Sequence, residues 1–474
     1  MNKFELINDI ETNLDINNLR YKDFNPWPYI KLKLFTYNDW TKSVKNHNND
    51  KNYKAIKINY FIRLIKSGWK YFQKPIKKEN KDILYFTRDI ETDGKVNNKN
   101  FNKFSDSLIE LNNSNFSFKV LEMSNGGFSE DTFNNEITYI DFLLKIQNIK
   151  SKLLFKKGRS KLNDSLSKCL EELHSYNYDL DKNSLEKDLF NLNKLSLLFE
   201  NILKKYNPKV VFLVCFYRFE AMALSLACNR LGINVVDYQH GVLDLGMYKY
   251  TENIPSKGFE LLPNFFLNWH EDDVNYIDSW AKNTSKHKSI LGSNFWLSYN
   301  VANASKERLK DNTKLNILIT LQGDSFFVDQ ILNFLQVNHD KYNFYIRDHK
   351  RFPISSSLKN KLEEFSYENI NKVTEMNIYD LLKLTDIHFT SHSTVSLEAL
   401  SYRIPTIFYG NVANDYFNHL LKTIEGLFLS RDISDMDQNI SLALNCNVDK
   451  YYNISNRNDV FKLLKKLTIE KEVT

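Results

Sequence analysis

Short apolar runs alternate with helix-forming segments along this chain, in two separate series. In the first, "DILYFTRDI" precedes the helical pattern "FSDSLIELNN" and a second run, "FSFKVLEM". After a long helical stretch over 141–206 come "PKVVFLVCFY" (208–217), the helix "RFEAMALSLACNRLG" closed by Gly232, and "INVVDYQHG". A second series follows Gly292: "LNILITLQGD", "FFVDQILNFLQ", "YNFYIRDHKRFP", "NIYDLLKLT", "DIHFTSH", "STVSLEALSYR" and "IPTIFYG". The runs are continuously apolar, without strict polar alternation. Such strands suit parallel sheets covered on both faces and joined through crossover helices.

The pattern therefore predicts an α/β chain of two Rossmann-like domains behind a helical N-terminal extension. The expected boundaries are 1–80 for the extension and 81–290 for a first domain carrying the insertion 141–206. A second domain spans 291–450, and a C-terminal helix 451–474. At 474 residues the chain is too long for one ordinary core. Only 13 glycines and 8 prolines argue against a sandwich or barrel built from many tight turns.

The 64 basic against 58 acidic residues give a net charge of +6, too mild to indicate nucleic-acid binding. Four dispersed cysteines form no CxxC, so neither a zinc site nor a disulfide framework is expected. The polar, acidic start "MNKFELINDIETNLDINN" is no secretory signal, and no apolar run approaches a membrane span. A cytoplasmic location is expected. The stretch 59–78 mixes aromatics with lysines. It reads either as a helix packed on its own domain or as one lying on an anionic membrane surface.

In open parallel sheets, ligands sit beyond the carboxyl ends of the strands. The unusual polar residues of this sequence fall there. "DYQHG" places Asp237, Gln239 and His240 at one exit: His240 is the first candidate for a base near neutral pH, with Asp237 and Glu220 behind it, and Gln239 is expected to contact the acceptor. A histidine that merely fixes the turn is the simpler alternative. Glu220 lies in the first turn of a helix starting at another exit, where stabilising the helix dipole would also explain it. "TRDIETDG" brings Arg88 and Asp89, with Asp106 beyond, as an acceptor-binding loop or a solvated turn.

In the second series, "IRDHKRFP" supplies Arg347, His349 and Lys350, cations suited to phosphate or carboxylate. Gln322 stands at the exit of "LNILITLQGD". The loop "SHST" gives Ser391, His392, Ser393 and Thr394 at a helix start, with Glu398 one turn in. A plain cap needs one hydroxyl. Several hydroxyls beside a histidine suit a phosphate at the helix start, with Glu398 within reach of a ribose hydroxyl. No GxGxxG, Walker A or acidic metal pair is present, so no metal or other cofactor is expected beyond the donor itself.

The segment order resembles bacterial GT-B glycosyltransferases of capsule and lipopolysaccharide synthesis, over roughly residues 81–425. "LGINVVDYQHGV" is similar to their QHG segment. "LLPNFFLNWHEDD" with "ILGSNFW" is similar to their domain junction, and "TDIHFTSHSTVSLEALSYRIPTIFYG" to their donor-binding segment. "NPWPYIKLKLF" is similar to the WP segment that precedes the first sheet in some of them. Sialyltransferase-like, Kdo-transferase-like and teichoic-acid polymerase-like relatives often carry an HP pair. This chain departs from it, with His349 followed by Lys350 and Pro353 later. The resemblance implies transfer of a sugar from a CMP- or UDP-activated donor in the C-terminal domain. The acceptor would be an oligosaccharide or lipid-linked glycan on the N-terminal domain. A non-hydrolysing epimerase, a polyol-phosphate transferase and a non-catalytic assembly subunit stay open as alternatives.

Overall fold

The computed structural model describes residues 3–46, 65–69, 71–88, 92–96, 98–124, 132–157, 162–241, 243, 247–302, 314–326, 329–350, 352–418, 420–448 and 451–469. The chain forms two compact units. One comprises Met1–Tyr299 with Ser455–Thr474, the other Asn300–Ile454.

The first unit is built on seven strands: β1 (Ile83–Arg88), β2 (Phe118–Met123), β3 (Ile137–Tyr139), β4 (Val210–Val214), β5 (Asn234–Tyr238), β6 (Phe265–Asn268) and β7 (Lys288–Leu291). Their order is β3-β2-β1-β4-β5-β6-β7, every pair parallel. This is the doubly wound order, and it reverses between β1 and β4. Every residue of β4 and β5 is buried, so both sheet faces are covered. The expected insertion 141–206 forms three helices, Asp141–Lys157, Asp164–Ser175 and Lys182–Tyr206. Together they are the crossover from β3 to β4. Asp181 caps the last through Ser184 N, and it ends at Asn207 with a φ of 46°.

The N-terminal segment differs from the expected extension. Ile7, Ile10 and Leu14 on the helix Lys3–Asn13 recur at helical spacing, as do Trp27, Ile30 and Leu34 on Trp27–Asn46. These six side chains are buried in the same cluster as Leu84, Phe86, Val211 and Leu213. The segment is thus part of the first core. Of 59–78, residues 59–64 and 70 lie outside the described residues, as does Asp89.

The C-terminal helix Arg457–Ile469 also returns to the first unit. Phe461 packs on Phe116 with ring centroids 5.8 Å apart. Asn234 Nδ2 donates to Leu467 O at 3.4 Å.

The second unit holds β8 (Leu315–Thr320), β9 (Tyr342–Arg347), β10 (Ile387–Thr390), β11 (Thr406–Tyr409) and β12 (Leu427–Ser430). Their order is β9-β8-β10-β11-β12, again wholly parallel, with the reversal between β8 and β10. His388 sits at the centre of this sheet, fully buried. Its Nε2 lies 2.9 Å from Thr320 Oγ1 and its Nδ1 3.0 Å from Thr406 Oγ1. Both ring nitrogens have partners, which is how a core tolerates an imidazole. Burial pushes its pKa down to about 3.

Candidate functional site

In the first unit, β1, β4 and β5 are neighbours running the same way, so their exits lie side by side at the reversal. The exit of β4 is unusual: Cys215 has a φ of 64°, a region that side chains with a Cβ rarely adopt. Asp237 of β5 holds it in place. That carboxylate is buried, accepting from Phe216 N at 3.0 Å and from Tyr248 Oη at 2.7 Å. Burial raises Asp237 to about 7, against the lowering effect of those bonds and of Arg218. This geometry makes Asp237 the brace behind the exit.

The strained turn brings Tyr217 to His240, with Oη 3.5 Å from Nε2. His240 is half-buried, and its Nδ1 has no hydrogen-bond partner among the described residues. Burial first, then the positive charges of Arg218 and Lys103, push its pKa down to about 4. The imidazole is therefore neutral at pH 7 and able to accept a proton. An anionic group bound near those cations would offset them and raise its basicity.

Gln239 and Asp106 do not fit the expected acceptor contact. Gln239 is buried and donates to Gly241 O and Asp273 Oδ2, both at 2.9 Å, while accepting from Trp269 N at 2.7 Å. Asp106 is buried beneath the hairpin Thr92–Val96/Lys99–Asn102 and accepts from Asn102 N at 2.7 Å. Both hold corners of the backbone, because their polar atoms are already engaged away from solvent. Arg88 ends β1 half-buried, and its carbonyl accepts from Asn102 Nδ2 at 3.2 Å. Glu220 is half-buried in the first turn of the helix Phe219–Leu231.

The sequence reading missed Tyr217, Arg218 and Lys103. The first two stand where "PKVVFLVCFY" meets "RFEAMALSLACNRLG", just ahead of Phe219 and Glu220. Lys103 follows the hairpin and carried no signal, because nothing local links it to position 240.

In the second unit the reversal brings Gln322, beyond β8, to Ser391, beyond β10. Ser391 is buried; its Oγ donates to Gln322 Oε1 at 3.1 Å and lies 2.8 Å from His392 Nδ1. With the hydroxyl proton directed at Gln322, the bond to His392 requires the proton on Nδ1, leaving Nε2 as acceptor. The His392 ring stacks on Tyr416, centroids 5.6 Å apart and 20° from parallel, and Tyr416 is exposed. Burial and then His349 lower the His392 pKa. His349 stacks on the exposed Phe352 at 5.1 Å and accepts from Phe352 N through Nδ1 at 3.1 Å. Gly323, with a φ of 84°, lets the β8 exit pass close to this loop: a Cβ there would meet Phe352 O at 3.4 Å.

The other expected donor residues divide. Ser393 is buried and caps locally, its Oγ accepting from Val395 N at 3.3 Å. Thr394 is exposed and makes no side-chain cap bond, while Glu398 is half-buried on the helix Val395–Ser401. Arg347 turns part of its guanidinium to the protein: Nη1 donates to Val373 O at 3.0 Å and Met376 O at 2.6 Å, at the end of the helix Ile370–Glu375. Lys350 reaches Glu375 at 3.3 Å in solvent. The basic exit is thus less open to an anion than its sequence implied, because carbonyls at a helix end attract cations too. Its organiser is Asp348, unmarked by the sequence reading, whose Oδ1 accepts from His349 N at 2.7 Å and Ile354 N at 3.1 Å.

Among the described residues no group of three or more His, Cys, Asp or Glu is placed to hold a metal ion. No described helix is long and apolar enough to cross a membrane.

No protein-family model and no curated protein matches the sequence. Among solved structures, the chain is similar to a UDP-GlcNAc 2-epimerase from Neisseria meningitidis bound to UDP-GlcNAc: 13% identity, TM-score 0.46, 82% of this chain and 100% of that chain. It is similar to the UDP-GlcNAc 2-epimerase from Methanocaldococcus jannaschii at 12% identity and TM-score 0.47, over 82% and 100%. A UDP-glucosyltransferase from Polygonum tinctorium gives 10% identity and TM-score 0.39, over 83% and 94%. These likenesses are distant, and the two Rossmann-like parallel sheets establish the fold class by themselves.

Proposed function

We propose that this chain is a GT-B glycosyltransferase moving a sugar from a CMP- or UDP-activated donor to a growing capsule or lipopolysaccharide glycan. One observation carries the reading. Polar side chains from both flanking strands meet at the topological reversal of the second sheet, where Ser391 joins Gln322 and His392 beside stacked aromatic rings. That is where doubly wound sheets hold nucleotides. The rings would supply stacking surface and the hydroxyl and imidazole polar contacts; Thr394 and Glu398, which follow β10, and His349 and Lys350, which follow β9, are the further donor-binding candidates.

In the first unit, His240 is the proposed base for an acceptor hydroxyl. Its neutral imidazole and unpartnered Nδ1 support this role, with Arg218 and Lys103 nearby for an anionic part of the substrate. The proposed chemistry is proton removal by His240 together with electrostatic stabilisation of the departing nucleotide.

Thermal-shift titration with CMP, UDP, GDP and CDP tests the reading, because a ligand of the folded state raises the melting point by mass action. One pyrimidine nucleotide should stabilise the chain, and Ser391→Ala should weaken its binding about tenfold, through one lost hydrogen bond and its disturbed neighbours. Stabilisation that is indifferent to Ser391→Ala would refute the site. A changed sugar recovered from donor alone, without acceptor, would make the chain an epimerase instead.

A further inference from the structure

We infer that the first unit carries a docking surface for an anionic lipid bilayer, built from two helical segments far apart in sequence. Residues 65–69 and 71–73 are helical and lie against the start of the helix Asp141–Lys157. Phe142 is the anchor: Tyr71 and Phe72 approach its ring at 6.1 and 5.6 Å between centroids. Gly68 sits so close that a Cβ would meet that ring at 3.2 Å. The contact leaves the outer sides of both helices uncovered. Ile65, Trp69 and Phe72 are 56%, 68% and 68% exposed, and Ile149 and Leu153 are 49% and 58% exposed. The four-residue spacing puts Ile65 and Trp69 on one stripe, and Phe72 stands exposed on the segment 71–73. Spacings of seven and four put Phe142, Ile149 and Leu153 on another. Singly exposed apolar residues are unremarkable, but two stripes on touching helices form a patch that needs a partner.

Charge selects the partner. Lys66, Lys150 and Lys152 are exposed on the two helical segments themselves, and Lys74, Lys77 and Lys78 are exposed directly after the first. The acidic residues there are engaged: Asp141 accepts from Ser124 N at 3.0 Å, and Glu79 pairs with Lys81 at 2.6 Å. A second copy of the same patch would set lysines against lysines, which disfavours self-association. An anionic headgroup layer over a hydrocarbon interior matches both the charge and the apolar stripes, with Trp69 suited to the interface between them. The surface is independent of which sugar the chain transfers.

Flotation of the full-length protein with vesicles tests this. Binding is expected to phosphatidylglycerol/phosphatidylethanolamine vesicles and not to phosphatidylcholine, and it should fall with added salt. Trp69→Ser with Phe72→Ser should reduce partitioning at least about tenfold, since both side chains would enter the interface. Lys66→Gln and Lys150→Gln should each reduce it about fivefold. Trp69, Lys66 and Lys150 are solvent-exposed, so their single variants, Trp69→Ser included, should leave circular dichroism and melting temperature unchanged, while Phe72→Ser also gives up its edge contact with Phe142. Failure to bind anionic vesicles overturns the inference. So does a concentration-dependent dimer in sedimentation that the same serine variants abolish, because the patch would then belong to a second copy.

Discussion

Glu11→Gln should unfold the first unit more readily than any surface change. Glu11 and Lys31 are buried, with their charged atoms 2.7 Å apart. Glu11 Oε1 also accepts from Trp27 Nε1 at 2.8 Å, and Oε2 from Thr251 N at 3.1 Å. Lys31 Nζ donates to Lys249 O and lies 3.8 Å from the centre of the Tyr250 ring. At 2.7 Å and an effective dielectric near 20, the charges attract by about 6 kcal/mol. The amide keeps one oxygen for Lys31 and Trp27, which recovers about 1–2 kcal/mol. Its NH₂ then faces the N–H of Thr251, donor against donor. The expected net loss is about 3–5 kcal/mol, the range for a buried pair broken on one side. Adding Lys31→Met should recover much of it, since no buried charge then lacks a partner. All six tryptophans precede residue 300, so tryptophan fluorescence in a urea titration reads this unit alone. A loss under about 1 kcal/mol, or a double variant as unstable as Glu11→Gln, would refute the reasoning. The same network grips 249–253, next to the Tyr248 that bonds Asp237, so it braces the loop behind His240.

Other outcomes follow from the same geometry. His240→Ala should lower turnover about 10²–10⁴-fold while the melting temperature holds; unchanged turnover would remove it as the base. Acidification should loosen the second sheet through His388. Its folded pKa, about 3, lies below the unfolded value near 6.5, so the unfolded chain binds more protons in that window. Stability is therefore full above pH 6.5 and falls as pH drops towards 3. Between pH 7 and 5 the loss should be about 2 kcal/mol, read by hydrogen exchange at the β10 amides. In His388→Asn most of that pH dependence should vanish, with a remainder from His392, whose pKa burial also lowers; if it persists in full, another group is titrating.

Eight of the twelve strands of the two parallel sheets were legible because each is a continuous apolar run bounded by polar residues or glycine. β3, β6, β7 and β12 were not. They have three or four residues each, and β7 exposes both ends, so local pattern says little. The hairpin Thr92–Val96/Lys99–Asn102 escaped for a related reason: its segments are short and polar and lie outside the parallel sheets.

Sequence alone determined which side chains leave the strand ends, since periodicity and chain order set the exits of parallel strands. It could not determine which of those side chains face solvent. Gln239, Asp106 and Asp237 carry the same functional groups as binding residues, yet each is engaged by backbone or a buried partner supplied from elsewhere in the chain. The approach of Arg218 and Lys103 to His240, and of Gln322 to Ser391, was likewise decided by strand order, which joins segments from about 20 to about 140 residues apart in the chain. Local composition fixes what a residue can do; only packing fixes what remains for it to bind.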